Sequence, residues 1–193
     1  MRISAVALAL LAIQPLIASD DVVAPWERHT FDLESGILWQ VGDNTDINYE
    51  LVQTQLSWRS PFVFKWDMDG GSTVVVRHHA SLIGTWVEEG PEDYYFGISG
   101  SPSLEWWSAD DMLSVYFSIG GGFGVTNSTS VPGGQGQDFT LNWFMKAGVR
   151  RQITENIAIF GGPFFQHMSN GGATTPNPGI DALGFTVGAS FSF

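Results

Sequence analysis

The sequence predicts an all-β chain, an eight-stranded antiparallel up-and-down transmembrane β-barrel. Three observations carry that reading. Side chains alternate between large apolar and small or polar residues over stretches longer than ten residues. Charged residues make up only 15% of the 193, while glycine (23) and tryptophan (8) are abundant, a mix that suits a barrel better than a soluble domain. The apolar N-terminal stretch has the layout of a secretory leader.

The leader is expected over residues 1–19, with the barrel domain over 20–193. Arg2 supplies the positive start, Ile3 to Ile17 is an apolar run, and Ala18 and Ser19 are small residues ahead of Asp20 and Asp21. The run is too short for a comfortable spanning helix and contains Pro15. No later segment offers roughly 18 consecutive apolar residues, so an exported chain of this kind is either released or spans as strands. Cysteine is absent, so disulfides do not hold the fold.

Eight strands are expected, at 35–42, 47–58, 73–87, 94–107, 112–126, 138–151, 156–169 and 181–193. In the second of these the alternation changes phase between Leu51 and Val52, which suggests a bulge or another register. The third places His78 outward and His79 inward. The fourth sets Tyr94, Phe96, Ile98, Gly100, Pro102, Leu104 and Trp106 against Tyr95, Gly97, Ser99, Ser101, Ser103 and Glu105. The fifth alternates Leu113, Val115, Phe117 and Ile119 with Ser114, Tyr116 and Ser118. In the sixth, Leu141, Trp143 and Met145 face away from Thr140, Asn142, Phe144 and Lys146. The seventh carries Ile157, Ile159, Phe165, His167 and Ser169 on one face, and the eighth carries Asp181, Leu183, Phe185, Val187, Phe191 and Phe193.

Periodicity alone would also fit a soluble sandwich. Segments beyond ten residues match tilted spanning strands better than the usual five or six, and a narrow polar interior accounts for the Gly, Ser and Thr face. With both termini periplasmic, the turns at 108–111 and 152–155 are short, and the stretches 127–137 and 170–180 form longer outer loops. The segment 59–72 breaks that rule. Trp39, Trp58, Trp86 and Trp106 fall near strand ends, as in an interfacial girdle.

Net charge is −12, from 8 basic and 20 acidic residues, which argues against a nucleic-acid partner. The acids gather in expected loops (Asp43 to Asp46, Glu88 to Asp93, Asp110 and Asp111) and read as solvated charge. Asp67 and Asp69 before Gly70-Gly71 lack the rest of a calcium loop and read as a turn.

Along the outward rows of the last five strands, taken as far as Val149 on the sixth, the only charge-bearing side chains are His167 and Asp181, both at the outer end and on adjacent strands. Charge on a lipid-facing wall is costly, and such residues are candidates for function. Ser169 shares the face of His167 at the i+2 spacing of roughly 6.5–7 Å. A hydroxyl, an imidazole and a carboxylate so placed have the nucleophile–base–orienter logic of serine hydrolases. An interfacial aromatic, a strand-end hydroxyl and a turn acid explain the same three residues, and parity alone leaves both readings standing.

The run His167-Met168-Ser169-Asn170-Gly171-Gly172, followed by Pro176-Asn177-Pro178-Gly179-Ile180-Asp181, resembles the signature of the lipid A deacylase (PagL) family of outer-membrane β-barrel enzymes. The resemblance implies hydrolysis of the ester-linked acyl chain at position 3 of lipid A. His167 would be base, Ser169 nucleophile and Asp181 the acid, where the family usually has glutamate. It implies roles at the site for Asn170 and Asn177, and neither metal nor cofactor; Asn170 or the backbone N–H groups near Gly171 and Gly172 are candidate donors to the oxyanion, and the glycines read equally well as turn residues. It further implies a Gram-negative outer-membrane location with lipopolysaccharide in the outer leaflet as partner. Whether two copies form a homodimer is left open. A non-enzymatic structural or adhesion barrel, a transacylase and a lipocalin-like soluble binder are the alternatives.

Overall fold

The computed structural model describes residues 23–43 and 45–193, so the leader expected over 1–19 lies outside the described residues. Nine strands follow in order: β1 (Thr30–Gln40), β2 (Glu50–Arg59), β3 (Phe64–Asp67), β4 (Thr73–Glu89), β5 (Tyr94–Trp107), β6 (Leu113–Thr126), β7 (Phe139–Gln152), β8 (Ile157–Ser169) and β9 (Ile180–Ser192). All pairings are antiparallel. β1 pairs with β9 as well as β2, and β2 pairs with β4, so eight long strands close a barrel while β3 lies along β4 alone. Closure removes the sheet edges that an open sheet would expose.

Three departures from the sequence expectation have physical causes. β1 begins at Thr30, five residues early, because Asp32 and Glu34 point into the barrel, where they are buried; read without the lumen, acids look like loop. β2 alternates without a break from Leu51, whose side chain is buried inside; the register with β4 shifts at Glu50/Leu51 instead. The long turn expected at 59–72 contains a short strand, β3. The Ser60 N–H donates to the His78 carbonyl and the Val63 N–H to the Val76 carbonyl, so β3 continues β2 past a bulge at Pro61, which has no N–H to give. Only 68–72 remains as the turn, closed by the Met68 N–H on the Ser72 carbonyl.

The outer wall is apolar on all sides. Large side chains such as Leu33, Leu82, Ile98, Phe117 and Val149 are exposed, and Phe185 and Val187 reach 68% and 71%. An apolar surface of this extent is suited to hydrocarbon rather than water. Trp58 and Trp106 mark the end that carries Trp26 and Phe193, and Trp39 and Trp86 the opposite end, all four outward.

The lumen divides in two. Toward the terminal end it is ionic: Arg59 bridges Asp32 at 3.0 Å and Glu105 at 2.8 Å, Arg150 reaches Asp32 at 3.2 Å, and Lys146 pairs with Glu34. Trp26 caps this end against Trp107, ring centroids 5.3 Å apart. Toward the loop end the lumen is apolar, filled by Leu38, Leu51, Ile83, Tyr95, Phe144 and Phe164. The narrow polar interior expected from the Gly, Ser and Thr face is thus found at one end, and an apolar cluster fills the other. Gly120 has no side chain because a Cβ there would lie 2.7 Å from Phe144 Cζ.

Breaking one of these buried pairs leaves a charge without compensation. Lys146→Met strands Glu34, whose other partner among the described residues is the Thr186 hydroxyl, and is expected to lower unfolding stability, read by urea titration in detergent, by about 3 kcal/mol. The double change Lys146→Met with Glu34→Gln should recover most of that loss in the same urea titration.

Candidate active site

The β8–β9 hairpin builds the site. In the β8/β9 register His167 stands directly opposite Asp181, and Ser169 follows two residues on along β8. All three leave the outer wall near the loop end, partly covered, while their neighbours Gln166, Met168 and Asn170 turn inward and are buried. His167 Nδ1 lies 2.6 Å from Asp181 Oδ1, and His167 Nε2 lies 3.1 Å from Ser169 Oγ. The three residues that parity placed together thus form one hydrogen-bonded chain.

A carboxylate oxygen accepts, so the proton on the ring is assigned to Nδ1, and Nε2 is left with the lone pair that faces the Ser169 hydroxyl. This is the arrangement in which serine can lose its proton as it attacks.

Sequence reasoning missed Trp143. It lies on β7 directly opposite His167, and its ring sits beside the imidazole with centroids 5.9 Å apart and planes 30° apart. Trp143 also contacts Phe165 at 5.0 Å. The signal was available: Trp143 is on the outward row of β7, and two-residue alternation across a hairpin fixes its partner. Leu141, opposite Ser169, extends the apolar surround.

The four supporting residues separate by position. Asn170, 2% exposed, turns toward the barrel mouth. Its Nδ2 donates to the Gln135 carbonyl at 2.6 Å and to the Thr174 and Pro176 carbonyls at 3.0 Å each. Its Oδ1 accepts from the Gly172 N–H at 2.8 Å, and its own N–H donates to Asn177 Oδ1 at 2.9 Å. Asn170 is therefore saturated as a loop anchor. Gly171 and Gly172, at φ +67° and +79°, supply the left-handed turn that brings the chain back over Ser169, a conformation side chains resist. Among the described residues the Gly171 N–H has no acceptor, and Asn177 is exposed at the rim.

Other candidates stand apart. His78 points outward, with its backbone N–H on Ser60 Oγ, and His79 points inward, 2.9 Å from Ser103 Oγ. Among the described residues no group of His, Cys, Asp or Glu is placed to hold a metal ion.

The family model described as lipid A 3-O-deacylase (PagL) matches residues 52–190, a span that contains the three hydrogen-bonded residues and the β8–β9 hairpin as far as Ser190. Among solved structures the chain resembles the crystal structure of the outer membrane enzyme PagL, at 19% identity and a TM-score of 0.57, over 84% of this chain and 99% of that one. It also aligns with the Yersinia pestis outer membrane protein Ail in a phospholipid bilayer nanodisc, at 15% identity, covering 86% and 99%, with a TM-score of 0.37 that carries no weight. No curated protein matches.

Proposed function

Because the chain belongs to the lipid A 3-O-deacylase (PagL) family, we propose that it is an outer-membrane serine esterase that removes the ester-linked acyl chain at position 3 of lipid A. One observation carries the reading: an imidazole bridges a hydroxyl and a carboxylate on the outer, apolar side of the wall, near the loop end. A substrate whose acyl chains already lie in the outer leaflet meets that wall directly. It need not enter a lumen that is filled with side chains.

In the proposed mechanism Ser169 Oγ attacks the ester carbonyl and its proton passes to His167 Nε2. Asp181 holds the ring by Nδ1–H and stabilises the imidazolium that forms. The tetrahedral intermediate collapses, the C–O bond to the sugar breaks, and His167 returns the proton to the sugar oxygen. Water, deprotonated by His167, then releases the fatty acid from Ser169. The Gly171 N–H and the Asn177 amide at the rim are the donors assigned to the oxyanion. Asn170 and Gly172 act behind them, by fixing the turn.

Trp143 keeps the imidazole upright between its two partners. Trp143→Ala is expected to lower kcat up to about tenfold, the worth of one aromatic contact, while Trp143→Phe retains most activity. Fatty acid release from lipid A in detergent micelles measures both.

A fluorophosphonate tests the reading without lipid. Labelling of the folded barrel on Ser169, located by peptide mass spectrometry and lost in His167→Asn, is the expected result. An unlabelled Ser169 in a folded wild-type barrel contradicts it.

A further inference from the structure

Four acids are buried among the described residues: Asp32, Glu34, Glu105 and Glu92. The first three have cationic partners in the lumen. Glu92, 3% exposed on the β4–β5 turn, has no ion pair among the described residues. A buried carboxylate without a cation is costly unless several donors converge on it. Three do. Tyr49 Oη donates to Oε2 at 2.8 Å, and Ser128 Oγ and the Gln135 N–H donate to Oε1 at 2.7 and 2.9 Å. Burial, then the charge and hydrogen bond of Glu92, push the Tyr49 phenol above its ordinary value, so it stays a donor.

From Glu92 two hydrogen-bonded arms cross the barrel mouth to the β8–β9 hairpin, which sits on the far side of the eight-strand ring. On one arm, the Gln135 residue held by Glu92 accepts from Asn170 Nδ2 through its carbonyl at 2.6 Å, and Asn170 is bonded in sequence to Ser169. On the other, the Tyr49 carbonyl accepts from the Gln40 N–H, and the next residue, Val41, donates its N–H to the Asp181 carbonyl, both at 2.8 Å. One arm ends beside the hydroxyl and the other on the backbone of the acid.

We infer that Glu92 is a positioning residue for the esterase reaction: it fixes Ser169 and Asp181 relative to each other from across the barrel mouth. The inference rests on the esterase reading. Its physical content is that the β8/β9 ladder sets His167 against Asp181, while the segments that follow Ser169 and flank Asp181 are tied across the barrel mouth through Glu92. Displacing a reacting group by an ångström costs up to about a hundredfold in rate, so a distant clamp can govern turnover without touching substrate.

The test uses the full barrel folded in detergent, with lipid A as substrate and a fluorophosphonate as probe of Ser169. Glu92→Gln keeps the shape but turns an N–H2 toward groups that donate. It is expected to lower kcat by about tenfold or more, with KM within about twofold, and to slow Ser169 labelling in proportion. Tyr49→Phe loosens only the Asp181 arm and should lower kcat about threefold; it carries the test alone if Glu92→Gln does not fold. Asp93→Asn, a neighbouring exposed acid, is expected to leave kcat within about twofold.

Unchanged kcat and labelling in the folded variants overturns the inference. So does a rise in KM alone, or an equal loss in Asp93→Asn, either of which marks a general loop effect. A wild-type barrel that neither labels nor deacylates lipid A overturns the esterase reading instead, and the two failures are thereby told apart.

Discussion

Ser169→Ala is expected to abolish fatty acid release from lipid A, lowering kcat on the order of 10⁴-fold or more, while leaving the barrel folded. The hydroxyl is the group positioned to take the acyl chain, since His167 Nε2 faces it at 3.1 Å. Its loss removes no packing of consequence: Ser169 ends β8 and is partly exposed. The His167–Asp181 bond stays, so the variant isolates the nucleophile from the scaffold. Heat-modifiable migration in electrophoresis checks the fold, and release of labelled fatty acid checks the chemistry. Release at the wild-type rate would assign the reaction to another group.

Asp181→Asn carries the second large effect, on the order of 10³- to 10⁴-fold in kcat. The amide places an N–H2 within reach of His167 Nδ1, where the carboxylate Oδ1 now lies 2.6 Å away. If that N–H2 donates, Nδ1 must accept, the ring proton moves to Nε2, and the base can no longer take a proton from Ser169. Asp181→Glu is a different perturbation. The extra methylene overshoots a gap already closed at 2.6 Å, but the acceptor is retained, and a loss of about tenfold is expected. The order wild type, then Glu, then Asn in steady-state kcat is the outcome to look for. An Asn variant as active as wild type would remove Asp181 from the mechanism.

Much of this was legible in the sequence, and the reasons differ by element. From β4 onward the outward rows are mostly large and apolar and the inward rows mostly small or polar, with inward exceptions such as Ile83, Phe144 and Phe164, so two-residue alternation locates the strands to within about two residues. β1 was shortened because Asp32 and Glu34 are charges with partners elsewhere in the chain: Arg59, Arg150 and Lys146 sit on β2 and β7, and nothing local announces them. β3 is hidden by the bulge at Pro61, where two extra residues between the pairs Arg59↔His79 and Phe64↔Val76 interrupt the alternation, although Trp58 and Phe64 on either side both point outward.

The outward His167, Ser169 and Asp181 were found by the same parity rule, because a strand fixes which face a side chain takes. The loop after Ser169 obeys no such rule. That Asn170 turns inward and saturates itself on Gln135, Thr174 and Pro176 follows from the path of two loops 35 residues apart. The Glu92 clamp is invisible for the same reason, as its partners lie 36 and 43 residues away.

The most direct test is the mass of lipid A from a Gram-negative host with ordinary lipopolysaccharide that expresses the wild-type barrel. The account predicts a new species lighter by one ester-linked acyl chain, missing from position 3, and the free fatty acid in matching amount. Lipid A of unchanged mass beside a folded barrel in the outer membrane, or a species that gains a chain, would contradict it.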